Sequence, residues 1–130
     1  MRTLTNFIFL FVFTMSFAQS KYKSILNDID KNKETYSDIA QQIWSFAEMG
    51  YQEEKSSKLL QKTLEQEGFQ IEVGVAEIPT AFVASFGSGS PVLAILGEYD
   101  ALPGLSQKAV PYKVSNNGKA GHACGHHLFG

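Results

Sequence analysis

The sequence predicts an α/β fold in which helices pack on a mixed sheet. Apolar residues recur at helical spacing from about residue 21 to residue 67, and the spacing changes to two after Gly68. The run Val92 to Leu96 is apolar without interruption, as in a strand that is covered on both faces. Helices that precede a group of strands, one of them fully buried, favour an α/β layer over a bundle or a sandwich.

The first half of the chain is predicted to be helical. Apolar side chains recur every three to four residues between Lys21 and Met49, which indicates one long helix or two in succession. A second amphipathic stretch runs from Glu53 to Glu67 and is followed directly by Gly68, a residue type that often ends helices. The Glu53-Glu54 pair is interpreted as negative charge at the start of this helix.

Strands are predicted after Gly68. Apolar and polar residues alternate from Phe69 to Val73, and the segment Ala81 to Phe86 is again compact and apolar. A turn rich in glycine and serine at 87–91 leads to the run Val92 to Leu96, which we expect to be central in its sheet. Residues 101–120 have little periodicity, and a loop of this length in a compact domain tends to be functional or disordered.

Residues 1–18 have the pattern of a secretory signal peptide. Arg2 supplies a positive charge, Phe7 to Phe13 is apolar, and Ser16 and Ala18 are the small residues of a cleavage site. A retained membrane anchor is the alternative, but the apolar run is shorter than the roughly 20 residues that span a bilayer. We therefore expect a mature domain of residues 19–130 that is periplasmic or secreted and has no stable membrane anchor.

The charge balance excludes one class of partner. The chain has 11 Lys and Arg residues against 13 Asp and Glu residues, a formal charge of -2, and no basic stripe. Binding to a phosphate backbone depends on such a stripe, so nucleic acid is not an expected partner.

Two carboxylates directly follow the predicted buried strand. Glu98 and Asp100 are two residues apart, so they point the same way if the strand continues through them. Ligands of α/β sheets bind at the carboxyl ends of strands. The pair is interpreted either as the solvated acidic end of a strand or as a group that binds a cation or orients a histidine ligand.

All three histidines and the single cysteine lie within six positions. His122, Cys124, His126 and His127 stand in the string GHACGHH. Thiolate and imidazole are suitable ligands for zinc, manganese or cobalt, and Gly125 allows the backbone to bring two donors to one ion. A polar loop with coincidental histidines is the alternative. Because a catalytic metal usually takes three protein ligands, further ligands must come from elsewhere.

Three strings resemble one family of enzymes. FAEMGYQEEKSS at 46–57, LGEYDALPGLSQ at 96–107 and GHACGHHLFG at 121–130 are similar to the p-aminobenzoyl-glutamate hydrolase and hippurate hydrolase branch of the aminoacylase and carboxypeptidase type metallopeptidases. The resemblance covers essentially all of residues 19–130. It implies the N-terminal part of a zinc-peptidase-like catalytic domain, in an enzyme that forms homo- or hetero-oligomers.

The resemblance also implies roles for particular residues. Cys124 and His126 match the paired metal ligands of the family, and Asp100 matches the aspartate that lies beside the metal centre and orients it. Glu98 falls where many relatives have a metal-binding histidine and this branch has an acidic residue. His127 replaces the usual Asp or Asn, and could add a donor or only preserve a hydrogen bond. The roles of Glu98, His122 and His127 stay open.

The implied reaction is hydrolysis of the amide bond of N-acyl or N-aroyl amino acids such as p-aminobenzoyl-glutamate. The implied cofactor is a divalent metal, zinc or manganese, which lowers the pKa of a bound water and polarises the amide carbonyl. The general base of the family, a glutamate in a Glu-Glu pair, has no match here, since Glu53-Glu54 aligns with the N-terminal helix. We therefore expect an N-terminal fragment that is inactive alone.

The second hypothesis is a stand-alone exported metal-binding module without catalysis. The two hypotheses predict different surfaces. A piece of a larger hydrolase exposes the apolar run Val92 to Leu96, because neighbouring strands are missing, whereas a self-standing module covers it.

Overall fold

A computed structural model describes the backbone of residues 2–130 and the side chains of residues 22–130. The predicted signal peptide, residues 1–18, lies outside the residues with described side chains. The chain divides into a first unit that ends at Ser37 and a second unit, Asp38–Gly130, which contains every contact described below for the candidate site. The elements in chain order are α1 (Arg2–Phe46), α2 (Glu54–Gln66), β1 (Gln70–Val73), β2 (Phe82–Ser85), β3 (Leu102–Pro103) and β4 (Ala120–Gly121).

The helices agree with the sequence prediction. α1 is one continuous helix through the region where one or two were expected, and α2 lies inside the predicted segment. Gly68 has a φ of +90°, and the Phe69 amide donates to the Leu64 carbonyl at 3.0 Å. This is the left-handed helix ending for which glycine is best suited. Over the part of the chain with described side chains, neither helix has an apolar stretch long enough to cross a membrane.

A side chain from outside α2 caps the N-terminus of this helix. The carboxylate of Glu48 accepts hydrogen bonds from the amides of Lys55, at 3.0 Å, and Ser56, at 2.9 Å, and from the Ser56 hydroxyl at 2.9 Å. Glu53, at the N-cap position, makes no cap; it is buried and accepts a hydrogen bond from the Thr80 hydroxyl at 2.8 Å. The charge predicted at the helix start is therefore supplied within the first turn by Glu54.

We expect Glu48→Ala to lower the free energy of unfolding by about 1–2 kcal/mol, because two helix amides and a buried hydroxyl lose their acceptor. Urea unfolding followed by circular dichroism measures this change. Glu54→Ala is the matched control, since Glu54 is exposed and its ion pair with Lys58 spans 4.0 Å. The control should change stability by less than about 0.5 kcal/mol. Equal losses in both variants would contradict the capping role of Glu48.

The strands form two separate antiparallel pairs, β1 with β2 and β3 with β4. The predicted α/β composition is confirmed, but the predicted mixed sheet is not. Among the described residues, the parallel pairing is limited to an isolated bridge between Met49 and Ala101. The paired residues are Gln70 and Ser85, Ile71 and Ala84, Glu72 and Val83, and Val73 and Phe82 in the first pair, and Leu102 and Gly121, and Pro103 and Ala120, in the second.

The prediction that Val92 to Leu96 forms a central strand is wrong for this chain. The segment has no regular secondary structure. Its large side chains are almost fully exposed, from 84% for Val92 to 98% for Ile95. A strand needs a neighbour to pair its amides and carbonyls, and no described strand pairs with this segment. The apolar sequence is present, but nothing in the described part of the chain covers it.

The buried apolar core is small. Of the described side chains, the buried hydrophobic ones are Ile43 in α1, Leu60 in α2, Ala101 before β3, and Ala120 in β4. Several polar residues are buried with them, including Ser56 and His122. Buried polar groups must be hydrogen-bonded to be tolerated, so specific hydrogen bonds have a large share in positioning these elements.

Candidate functional site

The acidic segment Glu98–Asp100 is held in place by the residues beside and within it. The Tyr99 hydroxyl donates to the Thr80 carbonyl, and the Ala101 amide donates to the Glu48 carbonyl at 2.7 Å. Burial raises the pKa of Tyr99 above its ordinary value, so the phenol keeps the proton that it donates. The segment that carries the two carboxylates is thus held by hydrogen bonds although it is not a strand.

The loop after β4 forms the other half of the candidate site. Gly121 has no room for a side chain, since an added Cβ would collide with the Leu105 carbonyl. The Gly125 amide donates to the His122 carbonyl at 3.2 Å, and Gly125 has a φ of +85°, which favours glycine. A 3₁₀ turn, His126–Leu128, follows directly. The chain therefore turns sharply and carries His126 to the acidic segment.

His126 lies between the two predicted carboxylates. Its Nδ1 is 2.8 Å from Asp100 Oδ1, and its Nε2 is 3.0 Å from Glu98 Oε2. The His126 side chain is mostly buried, and Asp100 is less exposed than Glu98, at 32% against 58%. Of the two interpretations that the sequence leaves open for these carboxylates, the geometry favours orientation of a histidine.

This arrangement has an unbalanced charge. A neutral imidazole carries one N–H and therefore donates to only one of the two carboxylates. When the proton is on Nδ1 and bonded to Asp100, the lone pair of Nε2 faces the Glu98 carboxylate. Two electron-rich atoms 3.0 Å apart repel each other unless a second proton or a cation balances them. A second proton on the ring would donate to Glu98, and a divalent metal ion bound at Nε2 would balance the same charge.

Cys124, the second predicted metal ligand, is not part of this cluster. Its thiol is free and exposed. Within the residues whose side chains are described, no group of three His, Cys, Asp or Glu side chains could hold a metal ion. The structure thus brings His126 together with Asp100 and Glu98, and it places Cys124 on the same loop without assembling a complete ligand set.

His122 and His127 form a pair of neighbouring rings. The His122 Nε2 lies 3.1 Å from the Ile43 carbonyl, so this nitrogen carries the proton and donates. Burial lowers the pKa of both histidines below the ordinary value, which favours their neutral forms. The two rings are 5.1 Å apart, and the Nδ1 atom of each is buried without a hydrogen bond among the described residues. The hydrogen bond considered for His127 is therefore absent at Nδ1.

Proteins of similar sequence are hydrolases that act on amide bonds. The chain is 47% identical over 115 residues to a subunit of the p-aminobenzoyl-glutamate hydrolase of Escherichia coli (strain K12), a match that covers 86% of the chain and 24% of that protein. It is 31% identical to thermostable carboxypeptidase 1 of Saccharolobus solfataricus, over 80% of the chain and 26% of that protein. It is 32% identical to the Xaa-Arg dipeptidase of Homo sapiens, over 78% of the chain and 23% of that protein. No family model matches the chain.

The chain spans about a quarter of the length of the curated relatives that it matches. Over that part it is a relative of the amidohydrolases and carboxypeptidases. Within this class, the resemblance to the p-aminobenzoyl-glutamate hydrolase branch that the three sequence strings indicate is confirmed.

Sequence reasoning missed two residues. The Glu48 carbonyl holds the acidic segment while its carboxylate caps α2, and the Tyr99 hydroxyl holds the same segment. Glu48 lies inside one of the three strings, six residues before α2 begins, and an acid near a helix start is a signal for a cap. Tyr99 has a weaker signal, because a tyrosine between two carboxylates does not reveal which carbonyl its hydroxyl reaches.

Proposed function

We propose that the protein is a metal-dependent amidohydrolase that cleaves the amide bond of N-acyl or N-aroyl amino acids such as p-aminobenzoyl-glutamate. The observation that carries this proposal is the placement of His126 between Asp100 and Glu98, two residues after an accessible thiol. The names of the relatives supply the reaction class. No residue of this chain is proposed as the general base.

In this proposal Cys124 and His126 hold the metal, either zinc or manganese. When bound, the metal supplies a water of lowered pKa and polarises the amide carbonyl. Asp100 accepts the Nδ1 proton of His126 and so keeps the Nε2 lone pair free for the metal. Glu98 places a negative charge beside the same nitrogen, which favours a cation there.

Asp100→Asn should weaken zinc binding by about 10- to 100-fold, because a neutral amide orients the imidazole less firmly than a carboxylate does. Competition with a chelating indicator dye measures the affinity. Asp38→Asn is the control, since Asp38 is an exposed carboxylate of α1 that accepts a hydrogen bond from Gln42 at 2.7 Å. Wild-type affinity in Asp100→Asn would remove Asp100 from the proposed site.

A stand-alone metal-binding module is the second candidate function. The accessible Cys124 and the neighbouring histidines are compatible with it. The exposure of Val92 to Leu96 favours the hydrolase, because a self-standing module is expected to bury such an apolar run.

Reading the gene beyond the Gly130 codon, followed by expression of the whole frame, tests the choice between the two. A continued frame with a Glu-Glu pair and further histidines, and release of p-aminobenzoate that stops on chelation and returns with zinc or manganese, supports the amidohydrolase. A stop codon at that point, or hydrolysis that survives chelation, contradicts it.

We also propose that residues 1–18 direct export and that the mature protein begins at Gln19 in the periplasm or outside the cell. Cell fractionation and N-terminal sequencing of the recovered protein test this, and a cytoplasmic protein that retains Met1 would contradict it. One relative is named as a subunit of a hydrolase, and we propose that the whole protein also acts as an oligomer.

A further inference from the structure

His122 connects the loop that carries Cys124 to helix α1. Its ring nitrogen Nε2 lies 3.1 Å from the carbonyl of Ile43, a residue 79 positions earlier in the chain. His122 is 3% exposed and Ile43 is completely buried. A hydrogen bond in such surroundings is stronger than one in water, so it holds the two segments in a defined arrangement.

The helix does not need this hydrogen bond for its own backbone. The Ile43 carbonyl also accepts the Ala47 amide at 3.2 Å, so this carbonyl keeps a partner if the His122 ring is removed. The contact therefore acts mainly on the loop. Its loss is expected to free the loop without leaving a buried carbonyl unsatisfied.

The other end of the loop is fixed at His126, whose Nδ1 bonds Asp100 at 2.8 Å. Cys124 lies midway between the two anchored histidines, and its thiol is exposed. An exposed side chain is positioned mainly by its own backbone. The location of the thiol relative to the His126 ring thus depends on both ends of the segment 122–126.

We propose that His122 is a positioning residue, whose hydrogen bond to Ile43 holds the loop in the shape that lets Cys124 and His126 bind one divalent metal ion. This inference rests on the proposed function. His122 is not itself a ligand in this scheme, because its Nε2 is engaged and its Nδ1 is buried beside His127.

A cobalt titration of the reduced protein, expressed over its whole reading frame, tests the proposal. Cobalt bound to a thiolate gives a charge-transfer absorption that reports on Cys124, and Cys124→Ser is the blank. His122→Leu keeps an apolar volume but removes the donor, and should weaken cobalt binding about 10- to 100-fold. His122→Gln keeps an N–H that can reach the carbonyl and should restore most of the affinity. Equal affinity in wild type and His122→Leu, or equal weakness in His122→Leu and His122→Gln, would overturn the proposal.

Hydrogen exchange without metal separates this inference from the proposed function. The amides of Gly125, Leu128 and Phe129 are hydrogen-bonded within the loop and its 3₁₀ turn. They should exchange faster in His122→Leu than in wild type or His122→Gln, while the amides of α2 stay unchanged. Unchanged exchange at the loop overturns the positioning role. Faster exchange together with a cobalt spectrum that Cys124→Ser does not alter supports loop fixation and contradicts the metal site instead.

If His122→Leu does not fold, His122→Asn replaces it in both measurements. The shorter amide places its N–H on the Nδ1 side of the original ring, away from the Ile43 carbonyl. The expected results and the results that overturn the proposal are the same as for leucine.

Discussion

Under the proposed function, Cys124→Ser is expected to reduce metal content and hydrolytic activity together, each by at least about 100-fold. Loss of a residue that only orients a ligand costs about 10- to 100-fold in metal affinity, so loss of a ligand should cost more. Serine cannot replace the thiolate, because its hydroxyl is protonated at neutral pH and binds zinc poorly. Metal content is measured by elemental analysis after dialysis. Activity is measured with the whole protein as the release of p-aminobenzoate from p-aminobenzoyl-glutamate.

Ala123→Ser is the matched control for this experiment. It places a hydroxyl on the neighbouring exposed position of the same loop and leaves the thiol intact. Metal content and activity should both stay at the wild-type level. Unchanged metal content in Cys124→Ser would remove Cys124 from the ligand set, whereas loss of activity with full metal content would give the thiol a different role.

Of the variants proposed for stability measurements, Gly121→Ala is expected to lower the free energy of unfolding most, by about 2–3 kcal/mol. The added Cβ would collide with the carbonyl of Leu105 and lie 3.0 Å from the Cα atom of Ser106. Both are backbone atoms, so relief requires a shift of the chain between β3 and β4. Since a domain is stable by only about 5–15 kcal/mol, the change is readily measured by urea unfolding.

Gly50→Ala provides the control, because the nearest atom to its added Cβ is a carboxylate oxygen of Glu53 at 3.8 Å. This variant should change stability by less than about 0.5 kcal/mol. Similar losses in the two variants would show that the close approach at Gly121 does not limit stability. Gly121→Ala should also weaken metal binding, because Gly121 directly precedes the His122 anchor.

The sequence by itself determined the local structure. The helical spacing before residue 67 and the alternation after Gly68 predicted α1, α2 and the β1–β2 pair, because these patterns depend on neighbours along the chain. The glycine at the end of α2 was predicted for the same reason. The three strings also identified the family to which the relatives point. The metal-site roles that this resemblance implies for Asp100, Cys124 and His126 stay predictions.

The tertiary structure decided how distant segments meet. The spacing of Glu98 and Asp100 permitted a shared target, but only the fold placed His126 between them. It also left Cys124 outside that cluster and Val92 to Leu96 uncovered. Whether an apolar run becomes a buried strand depends on the neighbouring strands and helices that cover it, and the periodicity of the sequence does not reveal these.

The contacts that hold the candidate site also join segments that are distant in the sequence. Tyr99 reaches the Thr80 carbonyl 19 residues earlier, and His122 donates to the Ile43 carbonyl across 79 residues. The local sequence around each side chain does not show which backbone group it will bond. That partner is fixed only when folding brings the two within hydrogen-bonding distance. Local patterns therefore determined the elements of this protein, while long-range hydrogen bonds determined the geometry of its candidate site.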